Sequence, residues 1–242
     1  MAIAYDTKNV ATTGGGASSL TYAHTCTGSD LILFVYTVNH SHLGTMTGVT
    51  YNGVSMTLIA SNNASNNKGQ RLWYLINPAT GTNNIVASKD DSSGWIDSYS
   101  SSYTGVSQTG QPDAYVVPSE ATTTSYSRSI TTVADNCWIT WGMCAGAGAA
   151  LTAGSNTTIV QQAGWGGAHS VAGAAAHSDQ TPAGSQTLTV TSSSQIFNSI
   201  MASFSPAGAT TAIKTINGLA IASVKTVNGL STASVKTVNG LA

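Results

Sequence analysis

Residues 30–39 read DLILFVYTVN, and this run sets the class of the whole chain. From Leu31 to Tyr36 every residue is apolar, so the segment does not divide into a wet face and a dry one. Side chains alternate across a β-strand, and unbroken apolarity therefore predicts a central strand buried on both faces. The β-branched and aromatic residues among them favour extended backbone over helix.

Outward from this strand, short β runs recur on both sides. SLTYAH (19–24) precedes it. GVTYNGVSMTLIA (48–60) follows, with Asn52-Gly53 as a hairpin turn, because both central positions of such a turn need positive φ. QRLWYLINPATGTNNIVAS (70–88) predicts a strand ending near Ile76, a turn over NPATG, and a strand starting near Asn84. WIDSYSSSYTGV (95–106) alternates and places Trp95, Asp97, Tyr99, Ser101 and Tyr103 on one face. Pro112 to Val117 reads as an edge segment, and YSRSITTV (126–133) with NCWITWGMCA (136–145) as a further pair of strands. Residues 146–176 are rich in Gly and Ala. Alanine propensity there suggests a helix at 171–176, but the glycines and the surrounding β pattern favour closely packed strands. SQTLTVT (185–191) and SQIFNSIMASFSPA (194–207) close the body. About a dozen strands with regular turn signals predict an all-β antiparallel sandwich over residues 1–207, with jelly roll the commonest arrangement.

Residues 208–242 form a different region. IKTINGLAIAS, VKTVNGLSTAS and VKTVNGLA repeat one eleven-residue unit. Each unit sets a turn-forming Asn-Gly between β-branched residues, which predicts a short strand, a turn and a short strand. A unit this small cannot bury its own apolar side chains. Ile213, Ile216, Leu219, Val224, Val227, Leu230, Val235, Val238 and Leu241 are thus candidate assembly residues, to be covered by the body, by sister chains or by a larger particle.

Composition narrows the setting. Charged residues are 7% against about a quarter in ordinary domains, while the apolar share is 41%. Ser, Thr, Asn, Gly and Ala fill the gap, as in extracellular or virion β proteins. The net charge of −1 leaves no electrostatic footprint for nucleic acid, although Lys214, Lys225 and Lys236 make the tail +3 and the body −4. No apolar run approaches a membrane span, and AIAYDTKNV after Met1 lacks the features of a secretory signal. A virion surface protein made in host cytoplasm reconciles these traits. Cys26, Cys137 and Cys144 read as buried free thiols, the latter two on one strand.

Chemistry-bearing constellations are sparse. Asp97 and Glu120 are the best acids for glycoside hydrolysis, but no spacing pairs them. No GxSxG nucleophile elbow is present. His40 and His42 lack an evident third metal ligand, and Asp90-Asp91 reads as an exposed polar turn in preference to a calcium loop. The expectation is no enzyme, no cofactor and no metal. Trp95, Tyr99 and Tyr103, with Trp73 and Tyr74, are candidates for a sugar-stacking platform, although core packing accounts for most such aromatics.

VTYNGVSMTLIA, RLWYLINPATGTNNIVAS, SSYTGVSQTGQPDA and SIMASFSPA together resemble a jelly-roll module of bacteriophage virion and bacterial surface proteins. The likeness is concanavalin-A-like in general form and covers about residues 18–206. The KTVNGLA tail resembles C-terminal repeats of phage-encoded β-rich proteins. The resemblance implies a virion component such as a capsid decoration, fibre subunit or tail adhesin. The expected partners are the chain itself, as a homotrimer, and other capsid or tail proteins; the alternative is an adhesin module binding host surface glycans.

Overall fold

The computed structural model describes residues 2–39, 44–63, 69–145, 150–165, 169–176 and 183–208, and the tail dipeptides 215–216, 219–220, 226–227 and 230–231; within 164–182 and in the tail it describes backbone alone. The chain divides into two units, Met1–Ala207 and Gly208–Ala242. All regular structure among the described residues is β. The first unit runs β1 (Ala4–Thr12), β2 (Ser19–Cys26), β3 (Ile32–Asn39), β4 (Met46–Tyr51), β5 (Val54–Ser55), β6 (Thr57–Asn63), β7 (Gly69–Ile76) and β8 (Gly81–Lys89). It continues with β9 (Ile96–Thr104), β10 (Ala114–Val116), β11 (Ala121–Thr131), β12 (Trp138–Ala145), β13 (Thr152–Ala153), β14 (Thr158–Trp165), β15 (His169–Ala176) and β16 (Ser185–Phe204). The second holds β17 (Thr215–Ile216), β18 (Leu219–Ala220), β19 (Thr226–Val227) and β20 (Leu230–Ser231).

Three antiparallel sheets stack in the first unit. The middle one has the order β1-β9-β3-β7-β6, with β3 at its centre. A smaller outer sheet, β2-β8-β4-β5, covers one face, and a larger one, β10-β16-β12-β15-β14, covers the other. All eight residues of β3 are buried: the apolar run to Tyr36 as it requires, and Thr37, Val38 and Asn39 after it. Ile32, Phe34, Tyr36 and Val38 enter the core shared with the larger sheet, against Trp138, Cys144, Ile200 and Phe204. Leu33 and Val35 enter the core shared with the smaller sheet, against Tyr22, Val49, Tyr51 and Ile85. Each such aliphatic side chain contributes about 1.5–3 kcal/mol by leaving water, so this one strand bonds both layers to the middle.

A third core forms because the larger sheet curls over itself. β16 is 20 residues long. Its second half pairs with β12, while β11 pairs along Ser185–Phe197. Burial falls on Gln186, Leu188 and Val190, then on Gln195, Phe197 and Ser199, so the inward parity switches between them. The register of β11 slips at the same place, between Thr123 and Ser125, which marks a β-bulge bending the strand. The curled portion lays Tyr126, Ile130, Leu188 and Val190 over Trp141 and Met143. Tyr126 stacks on Phe197 at 5.0 Å and on Trp141 at 5.8 Å.

The sequence reading holds for several elements and needs correction for others. Asn52 and Gly53, at φ 50° and 77°, turn β4 into β5. Residues 171–176 lie in β15, hydrogen-bonded between β12 and β14, so they are strand and not helix. β10 forms the end of its sheet, as an edge segment should. The two strands expected at 185–191 and 194–207 are one bent strand, because extended backbone continues through the bulge and pairing with β11 resumes on either side of it. β11 and β12 follow each other but do not pair; both bond to β16. β8 begins at Gly81, ahead of the expected Asn84, and Cys137 lies just before β12. β1 was not anticipated at all.

Candidate functional site

In the tail, two successive repeats carry the same backbone ladder. Thr215 pairs with Ala220 and Ile216 with Leu219; eleven residues on, Thr226 pairs with Ser231 and Val227 with Leu230. Ile216, Leu219, Val227 and Leu230 thus oppose one another in pairs across the two ladders. The remaining candidate assembly residues, Ile213, Val224, Val235, Val238 and Leu241, lie outside the described residues. A hairpin with two residues per strand is not stable alone in water, since about three strands with an apolar face are needed.

The aromatic platform expected on β9 is not a surface. Tyr103 is fully buried and Tyr99 is 5% exposed. Tyr103 packs edge-on to Phe34 and Trp138 and tilted against Phe204, and the Tyr99 hydroxyl donates to the Ala163 carbonyl at 3.2 Å. Burial and the neighbouring Asp97 carboxylate push the Tyr99 hydroxyl pKa well up. Trp95 precedes the strand and is half-buried. The alternation was read correctly, but that face meets the larger sheet, so these tyrosines have no ring face left for a sugar. Trp73 is buried too, donating from Nε1 to Thr37 Oγ1.

The opposite face of β9 is also buried and holds a polar network that the sequence did not disclose. Ser98, Ser100 and Ser102 point toward the smaller sheet. His24 of β2, 1% exposed, sits 2.8 Å from Ser100 Oγ through Nδ1 and 3.0 Å from Ser102 Oγ through Nε2. Thr7 Oγ1 approaches Nε2 at 3.2 Å, and Ser102 Oγ donates to Asp6 Oδ2 at 2.7 Å. Tyr22 bonds Ser98 at 2.8 Å, its pKa pushed up to about 12 by burial. The set has the chemical membership of a serine–histidine–acid relay. Its geometry is that of a fastener, because Ser100 is 2% exposed and no substrate reaches the histidine. Each member ties β1 or β2 to β9.

The other sequence candidates separate. Asp97 is fully buried, whereas Glu120 is exposed and accepts from Asn198 Nδ2 at 3.1 Å, so the two acids cannot flank one bond. Asp90 accepts from the Thr45 amide at 2.7 Å and Asp91 from the Ser93 amide at 3.0 Å, with Lys89 Nζ 3.4 Å from Asp91. They brace a polar turn. His40 and His42 lie outside the described residues, and among the described residues no cluster of three metal-ligating side chains occurs. Cys26, Cys137 and Cys144 are buried and form no disulfide with one another, and burial with the adjacent Asp113 carboxylate pushes the Cys137 thiol up to about 12.

The exposed faces carry short uncharged side chains. On the larger sheet, Ser127 bonds Thr189 and Ser129 bonds Thr187, each at 2.7 Å, in a ladder of hydroxyls. On the smaller sheet, Thr21, Val86 and Thr50 form one cross-strand row, and Ala23, Asn84 and Asn52 flank the next. An open groove there is lined by Thr50, Asn52, Gly53, Thr82, Asn83, Asn84 and Val86. No protein-family model matches this chain, and no curated protein matches it significantly.

Proposed function

We propose that this chain is a non-enzymatic structural subunit of a bacteriophage virion, displayed on the particle as a capsid decoration or fibre component and assembled through its C-terminal repeats. The observation that carries the reading is the recurrence of one ladder, Ile216 with Leu219 and Val227 with Leu230, at the eleven-residue period. A ladder so short gains stability only by adding its apolar residues to those of neighbours. Several weak contacts in register then sum, because each contact made raises the effective concentration for the next.

A homotrimer suits this tail, since three repeat-bearing segments enclose one apolar axis. The body supports the same role. It stacks three sheets, keeps its thiols buried, and turns the hydroxyl ladder of Ser127, Thr189, Ser129 and Thr187 outward. Deleting residues 210–242 and measuring mass by light scattering tests the reading. A fall from oligomer to monomer is expected; an unchanged oligomer overturns it.

A further inference from the structure

We propose that the outer edge of β6 receives a C-terminal repeat from a second copy of this chain, which joins the middle sheet as a further strand. β6 ends the order β1-β9-β3-β7-β6, so one side of it bonds β7 and the other meets no strand among the described residues. An open edge is a template for pairing, and folds ordinarily blunt it with charge, proline or a covering group. Here Val54–Asn63 holds no charged residue and no proline.

The other long edges are closed by side chains. Asn9 Nδ2 of β1 donates to the Ala23 carbonyl of β2 at 2.6 Å, and the Thr27 amide donates to Asp6 Oδ2 at 3.0 Å. The Gln161 side-chain amide of β14, oriented to satisfy both groups, bonds the Asn9 carbonyl at 3.1 Å and the Val10 amide at 3.2 Å. On β11, Arg128 donates to the Ser127 carbonyl at 2.7 Å and to the Ser119 carbonyl at 2.8 Å. β10 has three residues and lies between Pro112 and Pro118. β6 carries no such cover. Beside it Val54 and Leu58 are 52% and 41% exposed, although Met56 between them is buried.

The repeat fits this edge in length, in pairing and in polarity. The register slip between Leu58 and Ala60 leaves Ala60–Asn63 as the regular run, and each repeat offers an extended run of the same length, as in Val224–Val227. The repeat's two-residue ladder lacks the third strand that a hairpin needs, and β6 supplies it. Its valine and leucine side chains are of the kind that would cover Val54 and Leu58, and the uncharged edge sets no like charge against its single lysine. The contact rests on the reading above, that the repeats drive assembly, and gives one of them its receiving surface. Each edge takes one repeat, so the others remain for the axis. Passed from each copy to the next, such contacts close a ring of three.

The test uses the full chain. Backbone hydrogen exchange over residues 57–63, read by mass spectrometry, is compared between concentrated and dilute samples. Leu58→Lys is followed by light scattering, with circular dichroism as the check on folding. Exchange over 57–63 should slow roughly tenfold on assembly while that of β3 is unchanged. Leu58→Lys should raise the concentration of half-assembly by about tenfold. Equal exchange over 57–63 in the two samples overturns the proposal, as does a folded Leu58→Lys chain that assembles at the original concentration. A chain monomeric at every concentration overturns it too. Should removal of residues 210–242 abolish assembly while β6 exchanges freely in the oligomer, the repeats meet one another and not this edge; the β6 contact then falls and the assembly role stands.

Discussion

His24 is the residue whose charge state the fold most constrains. Burial lowers its pKa from 6.5 to about 4, against an upward pull from Asp6. The unfolded chain takes up that proton near pH 6.5, whereas the native chain does so only near pH 4. Stability is therefore full above pH 6.5 and is lost as pH falls through this window. The gap corresponds to about 3 kcal/mol, readable as a fall in denaturant midpoint. His24→Gln should remove that slope; a variant with the same slope would assign it to another group. Gly142 imposes a constraint of shape instead. A Cβ there would fall inside the Tyr36 ring, which lies 4% exposed in the core between the middle and larger sheets. Gly142→Ala should cost about 2–3 kcal/mol in urea unfolding, since neither the ring nor the paired strand has room to move.

At the scale of elements, the sequence was legible where one physical demand dominated. Asn52-Gly53 announced its turn because positive φ at two successive positions leaves few residue choices. Gly53→Ala should accordingly lower stability by about 1 kcal/mol, measured by the thermal midpoint, with the β4–β5 register kept. β3 was legible because burial on both faces leaves Ile32–Tyr36 an unbroken apolar run; its buried polar residues, Thr37 and Asn39, follow that run. β9 misled for the opposite reason. Its serines look like a solvent face, yet Ser98, Ser100 and Ser102 are buried because Tyr22 and His24 complete their hydrogen bonds. Partners distant in sequence decided which face was wet, and no local pattern carries that information. β1 escaped notice because pairing with β9 holds it, and its half-exposed side chains follow no period. The groove was equally hidden, since Thr50 and Asn84 become neighbours only through the β4–β8 register.

For the whole molecule, the sandwich class and the repetitive β tail were both legible from strand spacing and the eleven-residue period. The stacking of three sheets rests on contacts between strands distant in sequence, and the curl that makes a third core on a bulge in β16 that the sequence does not mark. The first unit has its own cores, so a chain ending at residue 207 should unfold cooperatively. Its midpoint should lie within about 2 °C of the full chain's monomer when followed by circular dichroism. A large loss would mean that the repeats also brace the body.

The placement of the three cysteines gives the stack its own internal reporters. Cys26 lies in the core between the smaller and middle sheets, Cys144 in the core between the middle and larger sheets, and Cys137 is buried beside Asp113. A thiol-reactive probe applied under native conditions reaches each sulfur only when its own layer parts. Mass-resolved labelling rates would therefore rank the openings in time. If the His24 fastener governs the smaller sheet, acid should quicken modification at Cys26 relative to Cys144, once each is corrected for its thiolate fraction.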